Sequence, residues 1–481
     1  MEFDSFFYVL FFLPFVFLLY QTVKHTRYHN LIICGASLTF YAFGQLKYLV
    51  ILILISLQDY FIAGIIHKTA NERKRKFLVA LSVSLNLLVL AFFKYSDWLI
   101  DVVNKNLIDT FSIFRSIPEI PHLNLLLPIG ISFYVFHTIS YTVDTYRRVI
   151  VPRKNILDYL TFVSFFPLLV AGPIQRARDL LPQLGKKRVL PSNKVLEYGV
   201  FLILYGITKK IVIADNLGNL IEICQKNHSA TPGLGFIIAL AFTFQIYADF
   251  SAYTDIATGS AKLFNIKLTR NFITPYFSQS PSEFWQRWHI CLSSWLRDYL
   301  YIPLGGNKSG KLKTYINLMV TMILGGIWHG AGVFFLLWGI YHGMLLTFYR
   351  IIPINTYLKK YLGKVGKWLA ITIMFVSTVY GWILFFSKTN AQFHKLSGGF
   401  FKVLFHPLSL SRDFTVLFYT LLVFILPLII TDSIGYKRNR QFVELYPALT
   451  MRYKIPLYIS MLYLLIYFSG TAHYAFIYFQ F

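Results

Sequence analysis

Apolar runs recur from one end of this 481-residue chain to the other, and short basic clusters separate them. A helix needs about 20 apolar residues, at 1.5 Å each, to cross a bilayer core. The sequence is 56% hydrophobic and 14% charged, with a mean hydropathy of +0.55. A soluble domain carries roughly 25% charged residues, so a large soluble protein is excluded and an all-α polytopic membrane protein is expected. The net charge of +25 does not point to nucleic acid. Its Lys and Arg lie at Lys24 and Arg27, in the RKRK of 73–76, and across 147–154, 186–188 and 437–440. That is the positive-inside pattern, whose partners are anionic lipid headgroups.

Taken in order, the runs give eleven to twelve crossings plus re-entrant or in-plane helices. The acidic start of MEFDSFFYVLFF, with no small-residue cleavage site, reads as a retained first helix. Segments near 31–44, 47–66, 78–98 and 125–145 follow, with Asp101, Asn104, Pro118 and Pro121 in an outer loop. The run 156–170 has basic residues on both sides, which predicts a segment that dips in and returns, broken at Ala171-Gly172-Pro173. Further segments are expected near 195–214, 234–253, 314–329, 333–349, 368–386, 414–430 and 455–480. An outer loop holds His394 and His406, and an inner one holds KRNR. With no repeat and no linker, the economical description is one integral domain over 1–481.

The densest polar and aromatic cluster lies between Asn271 and Gly343. Arg287, His289, Arg297 and Asp298 stand among Trp285, Trp288 and Trp295, too charged for lipid and too apolar for a solvated loop. They need protein partners or a wet cavity. Two readings stay open: Arg287, His289, Arg297 and Trp295 bind an anionic donor, since Arg pairs with phosphate bidentately, or the charges form an ion-pair network that fixes the segment. The run from Thr314 climbs about 22 Å at helical rise, placing His329 deep and nearer the outer face. A neutral imidazole there can take a proton from a hydroxyl, and Trp328 and Asp298 are candidate supports.

His342 lies thirteen residues on. In one continuous helix the two imidazoles would stand about 20 Å apart; only a break at Gly330-Ala331-Gly332 brings them together, so His342 reads as a supporting residue behind His329 or as a structural one. Asp249 and Asp255 read as internal salt-bridge partners or proton-handling groups, and His137 and Asp144 share a helical face. The run 305–311 matches GxxxxGK, but Leu312 follows where Ser or Thr should stand and no strand precedes it, so it reads as a basic turn. Cys34, Cys224 and Cys291 form no CxxC or metal-ligand spacing; neither a disulfide framework nor a metal site is expected. Cys291 is a small buried residue or an acyl nucleophile.

AGPIQRARDLLPQL (171–184), DFSAYTDIATG (249–259), the 271–307 block with EFWQRWHICLSSWLRDYLYIPLGGN, WHGAG (328–332), GWILFF (381–386) and FIYFQF at the end together resemble the membrane-bound O-acyltransferase superfamily, in its bacterial polysaccharide O-acetylating branch. The likeness runs from about residue 125 to the C-terminus, with a motif-bearing core at about 125–386. The resemblance implies a helical fold with a central tunnel, in the bacterial inner membrane. It also implies acetyl transfer from a cytoplasmic donor, acetyl-CoA, with no tightly bound cofactor. The acetyl group leaves toward an extracytoplasmic polysaccharide such as alginate or peptidoglycan, through a periplasmic esterase-like (SGNH) partner. The family's essential WHG histidine corresponds to His329. Some relatives add a second His or an Asn/Asp, which GWILFF does not supply. A transporter or flippase, which would predict broken helices with symmetry between halves, and a silent scaffold for a periplasmic enzyme are the alternatives.

Overall fold

The computed structural model describes residues 5–23, 26–105, 119–186, 189–226, 233–405, 412–470 and 474–477. Lys24, Pro118, Lys187, Arg188, His406 and the last four residues of FIYFQF lie outside them. Most of the described residues are helical, and none of them is in a strand. Among them, six helices are long and apolar enough to cross a membrane: Tyr28–Lys68, Glu72–Val103, Leu234–Leu263, Val333–Ile351, Ile354–Phe386 and Arg412–Arg438. The other expected crossings fall on shorter or more polar helices, among them Ile131–Tyr146 and Asn193–Thr208, the latter continued by the π-helix Lys209–Asp215.

The chain divides into two compact units. The first holds Met1–Leu190 with Phe264–Leu268 and Gly330–Gly332. Polar residues tie its apolar helices together. Buried Asp59 accepts from Ser82 at 2.5 Å and Asn86 at 2.7 Å, and Thr138 donates to Asn86 at 2.9 Å. Such bonds matter in a bilayer because the alternative is an unsatisfied polar group in hydrocarbon. The run expected to be re-entrant forms two short helices, Ile156–Ser164 and Phe166–Leu169, followed by non-helical chain through Ala171-Gly172-Pro173. His137 does not need Asp144: its Nε2 accepts the Gln175 amide at 3.2 Å, satisfying that non-helical backbone.

The second unit contains Pro191–Leu263, Thr269–His329 and Val333–Phe481. The helix Leu234–Leu263 is its centre: 26 of its 30 residues are buried, against the polar and apolar alternation of a surface helix. Two basic residues from the neighbouring π-helix meet its carboxylates. Lys209 lies 2.6 Å from Asp255, and Lys210 lies 2.9 Å from both Asp249 and Asp215. Asp249 and Asp255 are therefore salt-bridge partners. The described C-terminal residues close over this network, with Lys210 donating to the Tyr474 carbonyl at 2.6 Å and the Ile477 amide donating to Asp249 at 2.6 Å.

One expectation in this unit is corrected. The outer loop assigned to His394 is the helix Asn390–Phe405, which buries Leu396 and Phe400. A sixteen-residue amphipathic helix with a polar first turn does not register in a search for spans of about 20 apolar residues.

Candidate active site

His329 is the last residue of the helix Lys311–His329, and the next helix, Val333–Ile351, starts after a non-helical link. The break anticipated at Gly330-Ala331-Gly332 is present, with Gly332 at φ 151°, a conformation open to glycine and rarely to other residues. The chain reverses there, and the two helices pack backbone to backbone. A Cβ on Gly339 would stand 2.6 Å from the Met322 carbonyl oxygen, and one on Gly326 would stand 3.0 Å from Gly339 Cα.

This close hairpin delivers Trp338 to the histidine. The His329 ring meets Trp338 at 5.1 Å, Phe385 at 5.2 Å and its neighbour Trp328 at 4.9 Å, all near edge-on. On the next turn of the same helix His342 lies 4.7 Å from Trp338. One indole thus touches both imidazoles, an arrangement a continuous helix would forbid. His329 is 6% exposed and His342 2%.

The tryptophan block closes the other side. Phe284 and Trp285, on the helix Pro281–Arg287, lie 6.1 and 5.3 Å from His342. Trp288 lies tilted 4.9 Å from Trp382, which lies 6.1 Å from Trp338. The sequence motif GWILFF contains Trp382 and Phe385, yet nothing in the sequence marked these or Trp338 as site residues. The signal was a tryptophan in each apolar segment, and nothing local said that they would converge. Among the described residues, the indole nitrogens of Trp285, Trp338 and Trp382 and Nδ1 of His342 are buried without a hydrogen-bond partner. A buried polar group left so costs about 1–3 kcal/mol, and four in one cluster are hard to explain as packing alone. The arrangement can hold an imidazole base in an apolar box with several N–H donors at its walls.

The remaining sequence candidates are dispersed. Arg287 is engaged by Glu283 at 2.9 Å and by Ile273 and Thr274 at 3.2 Å, so it locks the 271–287 turn. His289 is fully buried in a left-handed conformation (φ 42°), with Nδ1 3.0 Å from Asn271 Oδ1. Burial pushes its imidazole down to about 3, so it is neutral and brings no charge to an anion. Arg297 pairs with Asp298 at 2.8 Å and keeps an exposed guanidinium, while Trp295 is buried against Tyr299 at 4.9 Å. Cys291 is buried, with Sγ 3.3 Å from the Arg270 carbonyl. The 305–311 turn takes positive φ at Gly305, Gly306 and Gly310 and leads into the histidine helix. Among the described residues no group of three or more His, Cys, Asp or Glu could hold a metal ion.

The model of the membrane-bound O-acyltransferase family matches residues 33–387, which includes every element of this box. The chain belongs to that family. It is an O-acyltransferase, and with six apolar helices of spanning length it is a multi-pass membrane protein. The match begins well before residue 125, so the likeness includes helices that their hydropathy alone had characterised. The O-acyltransferase is 40% identical over 407 residues to the probable alginate O-acetylase of Pseudomonas syringae pv. tomato, spanning 83% of this chain and 75% of that one. It is 36% identical over 402 residues to the peptidoglycan O-acetyltransferase of Helicobacter pylori, spanning 77% and 73%. The teichoic acid D-alanyltransferase of Bacillus subtilis is 27% identical over 290 residues, spanning 58% and 73%.

The glycine hairpin gives the acyltransferase a test of its own. If His329 is the reacting base, Gly339→Ala is expected to lower transfer about tenfold or more, because forcing the helices apart moves Trp338 off His329, and small displacements at a reacting centre are costly. The stability loss should stay within the ~1–3 kcal/mol typical of overpacking. Initial rates and denaturation of the same preparation check the split.

Proposed function

We propose that this O-acyltransferase moves an acetyl group from cytoplasmic acetyl-CoA to a hydroxyl on the far side of the bacterial inner membrane, as a single membrane domain with His329 as general base. The observation that carries the reading is the buried His329–Trp338–His342 row, lined by unpartnered N–H groups. His329 takes the proton of the acceptor hydroxyl as its oxygen attacks the thioester carbonyl. The tetrahedral oxyanion meets N–H donors at the walls. When the C–S bond breaks, the imidazolium returns the proton to the leaving thiolate, which balances the step. His342 and Trp328 position the imidazole through the indole between them and by edge contact.

Orientation follows from charge. Lys311 and Lys313 open the histidine helix, and Lys359, Lys360, Lys364 and Lys367 open the helix Ile354–Phe386. By the positive-inside rule these ends are cytoplasmic, so His329 and Phe386, at the opposite ends, belong to the outer half. Donor binding then falls to the cytoplasmic part of the 284–304 block. There Arg297 has the accessible guanidinium, with Asp298 and Trp295 shaping its surroundings and Arg287 and His289 fixing the fold beneath. A tunnel joins this entrance to His329. The acceptor is a polysaccharide, alginate or peptidoglycan by the names of the relatives, reached directly or through the serine of a periplasmic esterase-like partner.

Sealed vesicles containing the purified chain test the direction. Acetyl-CoA supplied on the face carrying the lysines is expected to be consumed, with acetyl groups appearing on acceptor held on the other face. Transport of an unmodified solute without consumption of acetyl-CoA would remove the reading.

A further inference from the structure

A cleft of about 410 Å³ opens in the second unit beside the catalytic box, within the usual size of a small-molecule site. Its floor is Phe242, on the central helix Leu234–Leu263, and one wall is Phe386. The Phe242 ring lies 4.7 Å from Phe386 and 6.5 Å from Phe385, the residue that packs on His329. Two layers of aromatic side chain therefore separate the cleft from the imidazole. Lys388 and Gln392, just beyond the C-terminal end of Ile354–Phe386, are also in its lining, which puts the cleft at the end of that helix opposite its lysines.

We infer that this cleft is the docking subsite for the acceptor, and that the acceptor presents it with a hydroxyl-rich carbohydrate segment. The inference rests on the acyl-transfer reading above for its choice of ligand. The lining carries three carboxamides: Gln225, Gln245 and Gln392. An amide side chain both donates and accepts, as a sugar hydroxyl does. Of the charged and phenolic groups in the lining, Glu222 and Tyr474 are already engaged. Glu222 holds Lys226 at 2.6 Å and accepts from the Tyr474 hydroxyl at 2.7 Å, which leaves the Tyr474 ring as a fixed face beside the amides. Gln392 accepts the Lys388 amide on its Oε1 at 2.8 Å, which leaves its NH₂ to donate elsewhere. The Gln245 side chain makes no hydrogen bond among the described residues, although it sits in the middle of a helix that is otherwise buried almost throughout.

A second observation shows that room is kept for that amide. Gly218 faces Gln245, and a Cβ there would stand 2.8 Å from Gln245 Nε2 and 3.2 Å from the Tyr474 ring. An apolar anchor for a protein partner would want a deep aromatic or aliphatic pocket without polar rims at its centre. Amides set between two aromatic faces suit a glycan better.

Two variants, Gln245→Leu and Gly218→Ala, test this on the full chain in nanodiscs, with oligomers cut from alginate and from the peptidoglycan glycan strand as probes. Equilibrium binding without donor is measured first. Wild type is expected to bind one oligomer class, and both variants to bind it about five- to tenfold more weakly, the loss of roughly one hydrogen bond. In steady state the acceptor KM should rise by the same factor while the acetyl-CoA KM stays put; an equal change in both would indicate general misfolding and overturn the assignment. Unchanged oligomer binding in both variants, no oligomer binding by wild type, or variants that weaken only the docking of a second protein would each overturn it as well. Oligomer binding that follows the prediction in a chain that never transfers acetyl would leave the cleft standing and bring down the transferase reading, so the two fail separately.

Discussion

His329→Ala is expected to lower acetyl transfer by about 10²–10⁴-fold, the range a positioned general base contributes, while the protein remains inserted and folded. The side chain sits at the end of its helix with contacts to Trp328, Trp338 and Phe385. Alanine removes those contacts without opening a backbone hydrogen bond, so the stability cost should resemble a modest cavity. His329→Gln separates chemistry from packing. It keeps polar bulk in the box but has no basic nitrogen, and it should be as inactive as alanine with less loss of stability. Initial rates with saturating acetyl-CoA and acceptor, on preparations matched by gel filtration, are the measurement. Transfer at the wild-type rate in either variant would take the proton-transfer role away from this residue. His342→Gln should show the smaller effect of a residue acting through Trp338: a reduced kcat with binding of both substrates retained.

How much of this was legible follows from the range of the signals. Apolar runs between basic clusters mark spans directly, so Leu234–Leu263 and Val333–Ile351 appear close to where hydropathy put them. His329 was legible because an ionisable residue deep in an apolar run is unusual wherever the chain goes. Its relation to His342 was only conditionally legible. Thirteen residues mean 20 Å in a helix and near contact across a reversal, and the glycines at 330 and 332 permit either. The convergence of Trp338, Trp382 and Trp288 is tertiary, across separations no local pattern encodes. Lys209 and Lys210 were overlooked for a different reason: in GITKKIVIAD two adjacent lysines resemble the basic end of a span. The structure instead buries them opposite Asp215, Asp249 and Asp255, where charge is tolerated because it is paired.

That pairing carries the second large effect. Lys210 is 1% exposed in its side chain and bridges Asp215 and Asp249, themselves 2% and 4% exposed. Lys210→Met keeps the length of the side chain but leaves two buried carboxylates facing each other without a cation. Removing one partner of a buried ion pair typically costs about 3–5 kcal/mol, most of it the uncompensated charge rather than the lost attraction. Loss of the lysine also frees the Tyr474 carbonyl and the cation contact to Phe476, 4.7 Å away. The C-terminal segment should therefore become protease-sensitive before the helices do. The origin of the cost is separable. If it is charge, Lys210→Met with Asp215→Asn and Asp249→Asn should recover much of the stability, since neutral amides can be buried at far lower cost, whereas a loss that came from packing would persist in the triple variant. Because these residues share one network, their effects are expected to be strongly non-additive. Urea titrations of the single, double and triple variants, read against tail cleavage, decide between a charge clamp and a merely well-filled space. Only the clamp explains why a helix as buried as Leu234–Leu263 carries Asp249 at its middle.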